Sequence, residues 1–145
     1  MGKIIAVCIS NEKQTKKKDI TMGHIIKNHG LEGDAHADSD SHRQISLLAQ
    51  ESIDKMKAQG LDVKAGDFAE NLTTTDIDLK SLPIGTVLKA GEEVLLEITQ
   101  IGKECHTPCA IYHQVGNCVM PTEGIFAVVL EGGIIKSGDQ ILIKD

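Results

Sequence analysis

The sequence predicts a mainly β fold, a barrel with a minority of helix, and three observations predict it. Short alternating or apolar segments recur along the chain, separated by Gly-containing turns. Only one stretch carries the 3.6-residue period of a helix. The stock of core residues points the same way: 41% of the chain is hydrophobic, yet it holds no Trp, one Tyr and two Phe. Its interior must be assembled from Ile, Leu and Val, and the β-branched members of that set suit strands. At 145 residues the chain suits one domain spanning 1–145. A domain of that size buries roughly two-thirds of its unfolded surface and needs no disulfide or metal to fold.

Taken in order, Lys3–Ser10 reads as the first strand, and the polar run Asn11–Lys18 as a loop. Lys16, Lys17 and Lys18, with Lys13 nearby, read as solvated charges on that loop. Ile20–Lys27 reads as a second strand, and Gln44–Leu48 as a third. The segment from Gly33 to His42 between them has no bulky apolar residue and reads as a surface loop. Gln50–Gln59 is the predicted helix: Leu48, Ile53, Met56 and Leu61 form a stripe, and Gly60 supplies the stop. Glu51 and Lys55 stand i,i+4 on its exposed side. Val63–Thr73 is mixed, with Asn71-Leu72 leading into a Thr-rich turn. Beyond it, Thr86–Lys89 and Val94–Thr99 flank the hairpin signal Ala90-Gly91-Glu92-Glu93. Ile125–Leu130 and Gln140–Ile143 frame two more turn signals, Gly132-Gly133 and Ser137-Gly138-Asp139. No internal repeat or composition break marks a second domain.

Fifteen Lys and Arg against 21 Asp and Glu give a net charge of −6, which argues against a general nucleic-acid binder resting on many phosphate contacts. Aromatic side chains for base stacking are nearly absent. The apolar start is too short for a signal peptide, and no segment approaches the roughly 18 apolar residues of a membrane span. A cytoplasmic protein is expected, with Cys8, Cys105, Cys109 and Cys118 as reduced thiols. Cys8 lies in an apolar run and reads as a small buried hydrophobe.

Three features could carry chemistry. Arg43 is the single arginine beside fourteen lysines, and its planar fork grips phosphate or carboxylate in a way Lys does not. It reads either as an anion clamp or as an internal bridge to Asp34, Asp38 or Asp40. Asp34, His36, Asp38, Asp40 and His42 recur at i,i+2, but the segment has no strand propensity and lacks the Gly and Glu of an EF-hand, so a metal site there is weakly supported. Cys105, Cys109 and Cys118, with His106 and His113, read either as a zinc set with the wrong spacing for a knuckle, or as one reactive thiol among packing residues. Lys103 and His106 flank Cys105 and would depress its pKa. No phosphate-binding GxxxxGK[ST], dinucleotide GxGxxG or serine nucleophile elbow is present.

Five segments, in order, resemble the MOSC domain, the C-terminal module of molybdenum-cofactor sulfurases. They are Gly30-Leu31-Glu32-Gly33-Asp34-Ala35-His36; His42-Arg43-Gln44-Ile45-Ser46-Leu47-Leu48 with Glu51-Ser52-Ile53; Phe68-Ala69-Glu70-Asn71-Leu72-Thr73; Leu82-Pro83-Ile84-Gly85-Thr86; and Gly124-Ile125-Phe126-Ala127 through Gly138-Asp139. The family's hallmark cysteine falls in a TQPRxPC-like segment. Here that segment reads Thr99-Gln100-Ile101-Gly102-Lys103-Glu104-Cys105, which assigns the role to Cys105, although the usual arginine and both prolines are replaced. Cys109, which follows Pro108, is the rival.

The resemblance implies a barrel-like fold in which a cysteine carries sulfur or ligates molybdenum. It implies molybdopterin as cofactor, with Arg43, His42 and Lys103 toward its phosphate and Gln44, Ser46 and Asn71 available either to the pterin or to ordinary turn and strand hydrogen bonds. The chain is too short to include the sulfurases' pyridoxal-phosphate domain, so sulfur would come from a donor such as a cysteine desulfurase, or the cofactor would pass to a molybdoenzyme. Two alternatives stand beside this carrier reading. One is a small molybdenum reductase of N-hydroxylated compounds, with Cys105 as metal ligand and an external electron donor. The other is a zinc-stabilised, non-catalytic interaction domain.

Overall fold

The computed structural model describes residues 2–10, 17–34, 37, 39–41, 43–60, 63–66, 68, 70–101 and 124–144. Its strands are β1 (Gly2–Ile9), β2 (Lys18–Asp19), β3 (Met22–Ile26), β4 (Gly30–Leu31), β5 (Ile45–Ala49), β6 (Leu72–Thr75), β7 (Val87–Ala90), β8 (Val94–Ile101), β9 (Ile125–Glu131), β10 (Gly133–Lys136) and β11 (Gln140–Ile143). The helix α1 covers Gln50–Ala58, and a 3-10 turn covers Leu79–Ser81.

Seven strands pair in the order β11-β7-β8-β9-β5-β6-β1, and β1 returns to β11, closing a mixed barrel. Every neighbouring pair in this ring is antiparallel except β5 and β6, which run parallel through Leu47–Leu72, Leu48–Thr73 and Ala49–Thr74. Antiparallel neighbours can be joined by short turns, whereas a parallel pair needs a long crossover. That requirement accounts for α1, which leaves β5 and begins the return to β6. Gly60, at φ +96, then ends the helical path, a conformation that a Cβ would oppose.

Alternation along the strands separates two apolar clusters. Ile45, Leu47, Leu72, Leu96, Ile98, Ile125 and Ala127 belong to the main cluster inside the barrel. Ile25, Leu31 and Ile135, from the small sheet β10-β3-β4, join it. Leu48, Ile53, Met56, Val63, Phe68 and Phe126 form a second cluster on the outer face beneath α1.

Several expectations need correction. The Thr-rich stretch after Asn71 is no turn but the strand β6, set between β1 and β5. Threonine is β-branched and fits a pleated surface, but the segment's lack of apolar alternation hid it. Gly133, expected in a turn, opens β10, which pairs with β3. Glu51 and Lys55 both lie on the exposed side of α1, as expected, and Glu51 has further partners. Its carboxylate accepts the Asp76 N–H at 3.0 Å and the Thr75 hydroxyl at 3.3 Å, which ties the first turn of α1 to the end of β6.

Thr74 is fully buried, and its hydroxyl has no partner among the described residues. A buried hydroxyl without a partner carries an uncompensated desolvation cost. Thr74→Val keeps the branched shape and removes the hydroxyl, so it should raise unfolding stability by about 1 kcal/mol, read as a higher urea midpoint with an unchanged slope.

Candidate functional site

Three of the sequence motifs meet on the outer face of the barrel. Strand register places Ser46 opposite Phe126 and Gln100 opposite Phe126. Asn71 continues the same row: its N–H donates to the Ser46 carbonyl at 3.0 Å, and its carbonyl accepts the Cys8 N–H at 2.7 Å. Residues distant in sequence therefore line up from β8 through β9 and β5 to the residue before β6 and on to β1.

Asn71 is the pivot of this row. Its Oδ1 accepts the Ser46 N–H at 2.9 Å and the Ser46 hydroxyl at 3.2 Å, while its Nδ2 donates to the Cys8 carbonyl at 3.1 Å. The same side chain also hydrogen-bonds Asp34. Asp34 Oδ1 in turn accepts the Lys17 ammonium at 2.6 Å and the Ser10 N–H at 3.1 Å, and both charged side chains are fully enclosed. Lys17 is thus not a solvated loop charge, and Asp34 is not a surface acid of a polar loop. The pairing of the two explains both burials, since neither charge is tolerable alone. Burial by itself would raise the Asp34 carboxyl, but Lys17, Ser10 and Asn71 together hold it below its ordinary value of 3.8.

Gly66 completes the junction. Its N–H donates to Glu70 Oε2 at 3.0 Å, and its carbonyl accepts the Lys17 N–H at 2.8 Å. It sits at φ +89 with the Lys17 carbonyl and the Cys8 sulfur where a side chain would begin, so no larger residue fits. Glu70 is wholly buried: Oε2 also accepts the Thr73 hydroxyl at 2.7 Å, but Oε1 has no partner among the described residues. Burial raises this carboxyl above the usual range, against the opposing donors from Gly66 and Thr73. The sequence did not mark Lys17 or Glu70 as site-forming, and it offered Asp34 as a partner of Arg43 or a metal ligand instead of as the partner of Lys17. Their only signal was membership of the quoted motifs, or, for Lys17, of a charge run.

The expected binding residues divide. Gln44 is 1% exposed, accepts the Val129 N–H at 3.0 Å and donates to Asn28 Oδ1 at 3.0 Å. Gln44, Ser46 and Asn71 therefore spend their polar atoms inside the protein as framework. Arg43 is exposed. Its N–H donates to Ser41 Oγ at 2.9 Å, and its guanidinium lies 5.9 Å from the centre of the Phe126 ring. Among the described residues the guanidinium makes no ion pair, and Asp34, one of its expected bridging partners, is held by Lys17. Of the remaining expected residues, His36, Asp38, His42, Lys103, Cys105, His106, Cys109, His113 and Cys118 lie outside the described residues. Among the described residues, no three His, Cys, Asp or Glu side chains converge as a metal site. No described helix is long and apolar enough to cross a membrane. A cleft of about 460 Å³ lies elsewhere, between the start of α1 and Asp76–Leu79, and none of the expected site residues lines it.

Two pH effects of opposite sign follow from the buried carboxyls. Asp34 has a lowered folded pKa, so its contribution is present above its ordinary value and is lost as pH falls through the folded value. Glu70 has a raised one, so its contribution is complete below its ordinary 4.5 and is lost as pH rises through the folded value. Lys17→Met should cost about 3–5 kcal/mol at neutral pH, because it strands a buried carboxylate; denaturant unfolding measures the loss. Glu70→Gln keeps an acceptor for Gly66 and Thr73 without a charge. It should flatten the decline in stability as pH rises above 4.5, read from urea midpoints in a series from about pH 4 upward.

The cofactor implied by the sequence resemblance contains a terminal phosphate, and the exposed Arg43 fork suits it. The enclosed amides of Gln44 and Asn71 instead fit a supporting role. Among solved structures, the chain is similar to the YuaD protein of Bacillus subtilis, with a TM-score of 0.80 and 17% identity over 97% of this chain and 94% of that one. It is also similar to YiiM of Geobacillus stearothermophilus (TM-score 0.71, 16% identity, 100% of this chain and 76% of that one). YiiM of Escherichia coli is a further likeness (TM-score 0.67, 16% identity, 99% and 70%). At these identities the likeness is one of fold. No curated protein matches the chain in sequence. The MOSC domain model matches residues 21–142, which takes in all five signature segments. The chain therefore belongs to the MOSC domain family, a molybdenum-cofactor-sulfurase-like family, and that membership supports a role connected with the molybdenum cofactor.

Proposed function

We propose that this chain binds molybdopterin and serves as a sulfur-carrier or cofactor-handling module acting through the Cys105 thiolate. The observation that supports this most is the placement of Arg43. It is an exposed, permanently charged fork without an ion pair among the described residues, over Phe126, which stands opposite Ser46 of the buried junction. Its guanidinium rests over Phe126, whose neighbour Ile125 pairs with Ile101, the last residue of β8. Cys105 follows Ile101 by four residues, a span of at most about 14 Å of chain.

In this reading Arg43 receives the cofactor's phosphate, with His42 and Lys103 as additional cationic or donor groups. Gln44, Ser46 and Asn71 hold the strands that carry Arg43 and make no direct contact with the pterin. Bound molybdopterin would supply a dithiolene-held molybdenum, for which a thiolate is a matching soft ligand. As a carrier, the Cys105 thiolate attacks the outer sulfur of a donor persulfide, as on a cysteine desulfurase. A new S–S bond forms at Cys105, and the donor's inner sulfur departs as a thiolate. A reducing compartment such as the cytoplasm keeps Cys105 available as the thiol.

The test is purification from a host that makes molybdenum cofactor, with metal analysis and fluorescence of oxidised pterin. Near-stoichiometric pterin is expected, lost in Cys105→Ala and kept in Cys109→Ala. Arg43→Lys should retain about tenfold less, since Lys cannot reproduce a bidentate charged contact. A persulfide on Cys105, seen by intact mass and removed by a reducing thiol, supports the carrier. Stable molybdenum with turnover of an N-hydroxylated compound and an electron donor replaces it with a reductase. Zinc without pterin overturns both in favour of a zinc-held interaction domain.

A further inference from the structure

The chain has two phenylalanines, and both lie in the outer cluster beneath α1, Phe126 being 7% exposed and Phe68 6%. Ile53 and Met56 of α1 belong to the same cluster, so the Phe126 ring is seated in the apolar layer beneath the helix. The ring has a second neighbour. The Arg43 guanidinium stands 5.9 Å from its centroid, within cation–π range. The backbone around Arg43 is secured separately. Gln44 ties its neighbourhood to Val129 of β9 and to Asn28. Gly30, at φ +135, packs against the Gln44 carbonyl so closely that a side chain there would collide with it.

A guanidinium lying over a ring face keeps its N–H donors around its own rim, available to an oxyanion. A free arginine side chain must give up rotamer freedom when it grips a ligand. One already laid on an aromatic face has given up part of it beforehand.

We propose that Phe126 is the positioning residue of an anion site, its ring carrying the Arg43 guanidinium in the orientation that receives a phosphate-type oxyanion. The proposal rests on the reading of Arg43 as a phosphate clamp and adds the group that preorganises it. It also links the outer apolar cluster to the ligand: the ring is seated in that cluster, and the ring holds the charge. The ligand chemistry is that of a terminal phosphate, compact and multiply charged, because the fork offers parallel donors and a full positive charge.

The single arginine makes the test direct, because its Nε–H gives one signal in a ¹⁵N–¹H spectrum. In the unaltered protein, that signal and the Arg43 Cδ protons should show the upfield ring-current shift of a residue over an aromatic face. Phe126→Leu should return them to coil positions and weaken inorganic pyrophosphate binding about threefold to tenfold. Phe126→Tyr retains the ring face and should restore both within about twofold. A purely packing role predicts a lower melting temperature for Phe126→Leu with the pyrophosphate affinity unmoved, and that result overturns the proposal. So does an unshifted arginine signal in the unaltered protein, which needs no variant to fold. If the unaltered protein binds no pyrophosphate, the anion site itself falls. Pterin retention is read separately, so pyrophosphate binding through Arg43 without retained pterin sinks the cofactor reading and leaves this proposal standing.

Discussion

Asp34 and Lys17 form an ion pair with both side chains fully enclosed, and the arrangement of the site depends on keeping that pair satisfied. Two charges taken out of water are costly, and their mutual attraction offsets the cost only when the remaining hydrogen-bonding capacity is also filled. Here the Ser10 N–H and the Asn71 amide fill it, and so one carboxylate recruits three chain segments at once. Asn71 then spends its other atoms on Ser46 and on the Cys8 carbonyl. The junction fixes β1, β5 and the loop after β4 relative to one another, and Arg43 lies two residues before β5.

The barrel supplies the rest of the geometry through one topological requirement. β5 and β6 are parallel, so a crossover must leave the sheet, and α1 is the part of it that packs back on the outer face. That packing gives the domain two apolar layers instead of one. The inner layer closes the barrel, while the outer layer places Phe126 and the polar row of Cys8, Asn71, Ser46 and Gln100 between helix, loops and solvent. Because Arg43 stands just ahead of β5, that strand fixes where its backbone enters this face.

Two polar groups depart from full satisfaction. Thr74 Oγ1 and Glu70 Oε1 are both buried without a partner among the described residues. They lie in or just before β6, the strand that enters parallel to β5. Glu70 bears the larger consequence, because its carboxyl titrates and burial favours the protonated form. Asp34 and Glu70 therefore have opposite charge preferences, one held toward the ionised form by a cation and the other shifted toward the protonated form by burial.

The sequence by itself determined the fold class, most strand positions, the helix from Gln50 and the family. These rest on local periodicity, turn chemistry and motif order, all of which are visible along one dimension. It also singled out Arg43 from the rarity of arginine in a lysine-rich chain. Only the tertiary structure decided what the polar residues do. Lys17 looked like a solvated charge because its partner is seventeen residues away, and the sequence left Gln44 and Asn71 open between ligand contact and internal hydrogen bonds because their internal partners lie on distant segments. The Thr-rich segment looked like a turn because β6 has no apolar alternation, and its place comes from pairing on both sides. Burial and hydrogen-bond satisfaction are properties of neighbours in space, so a sequence can name a polar side chain without showing whether it faces a ligand or the rest of the protein.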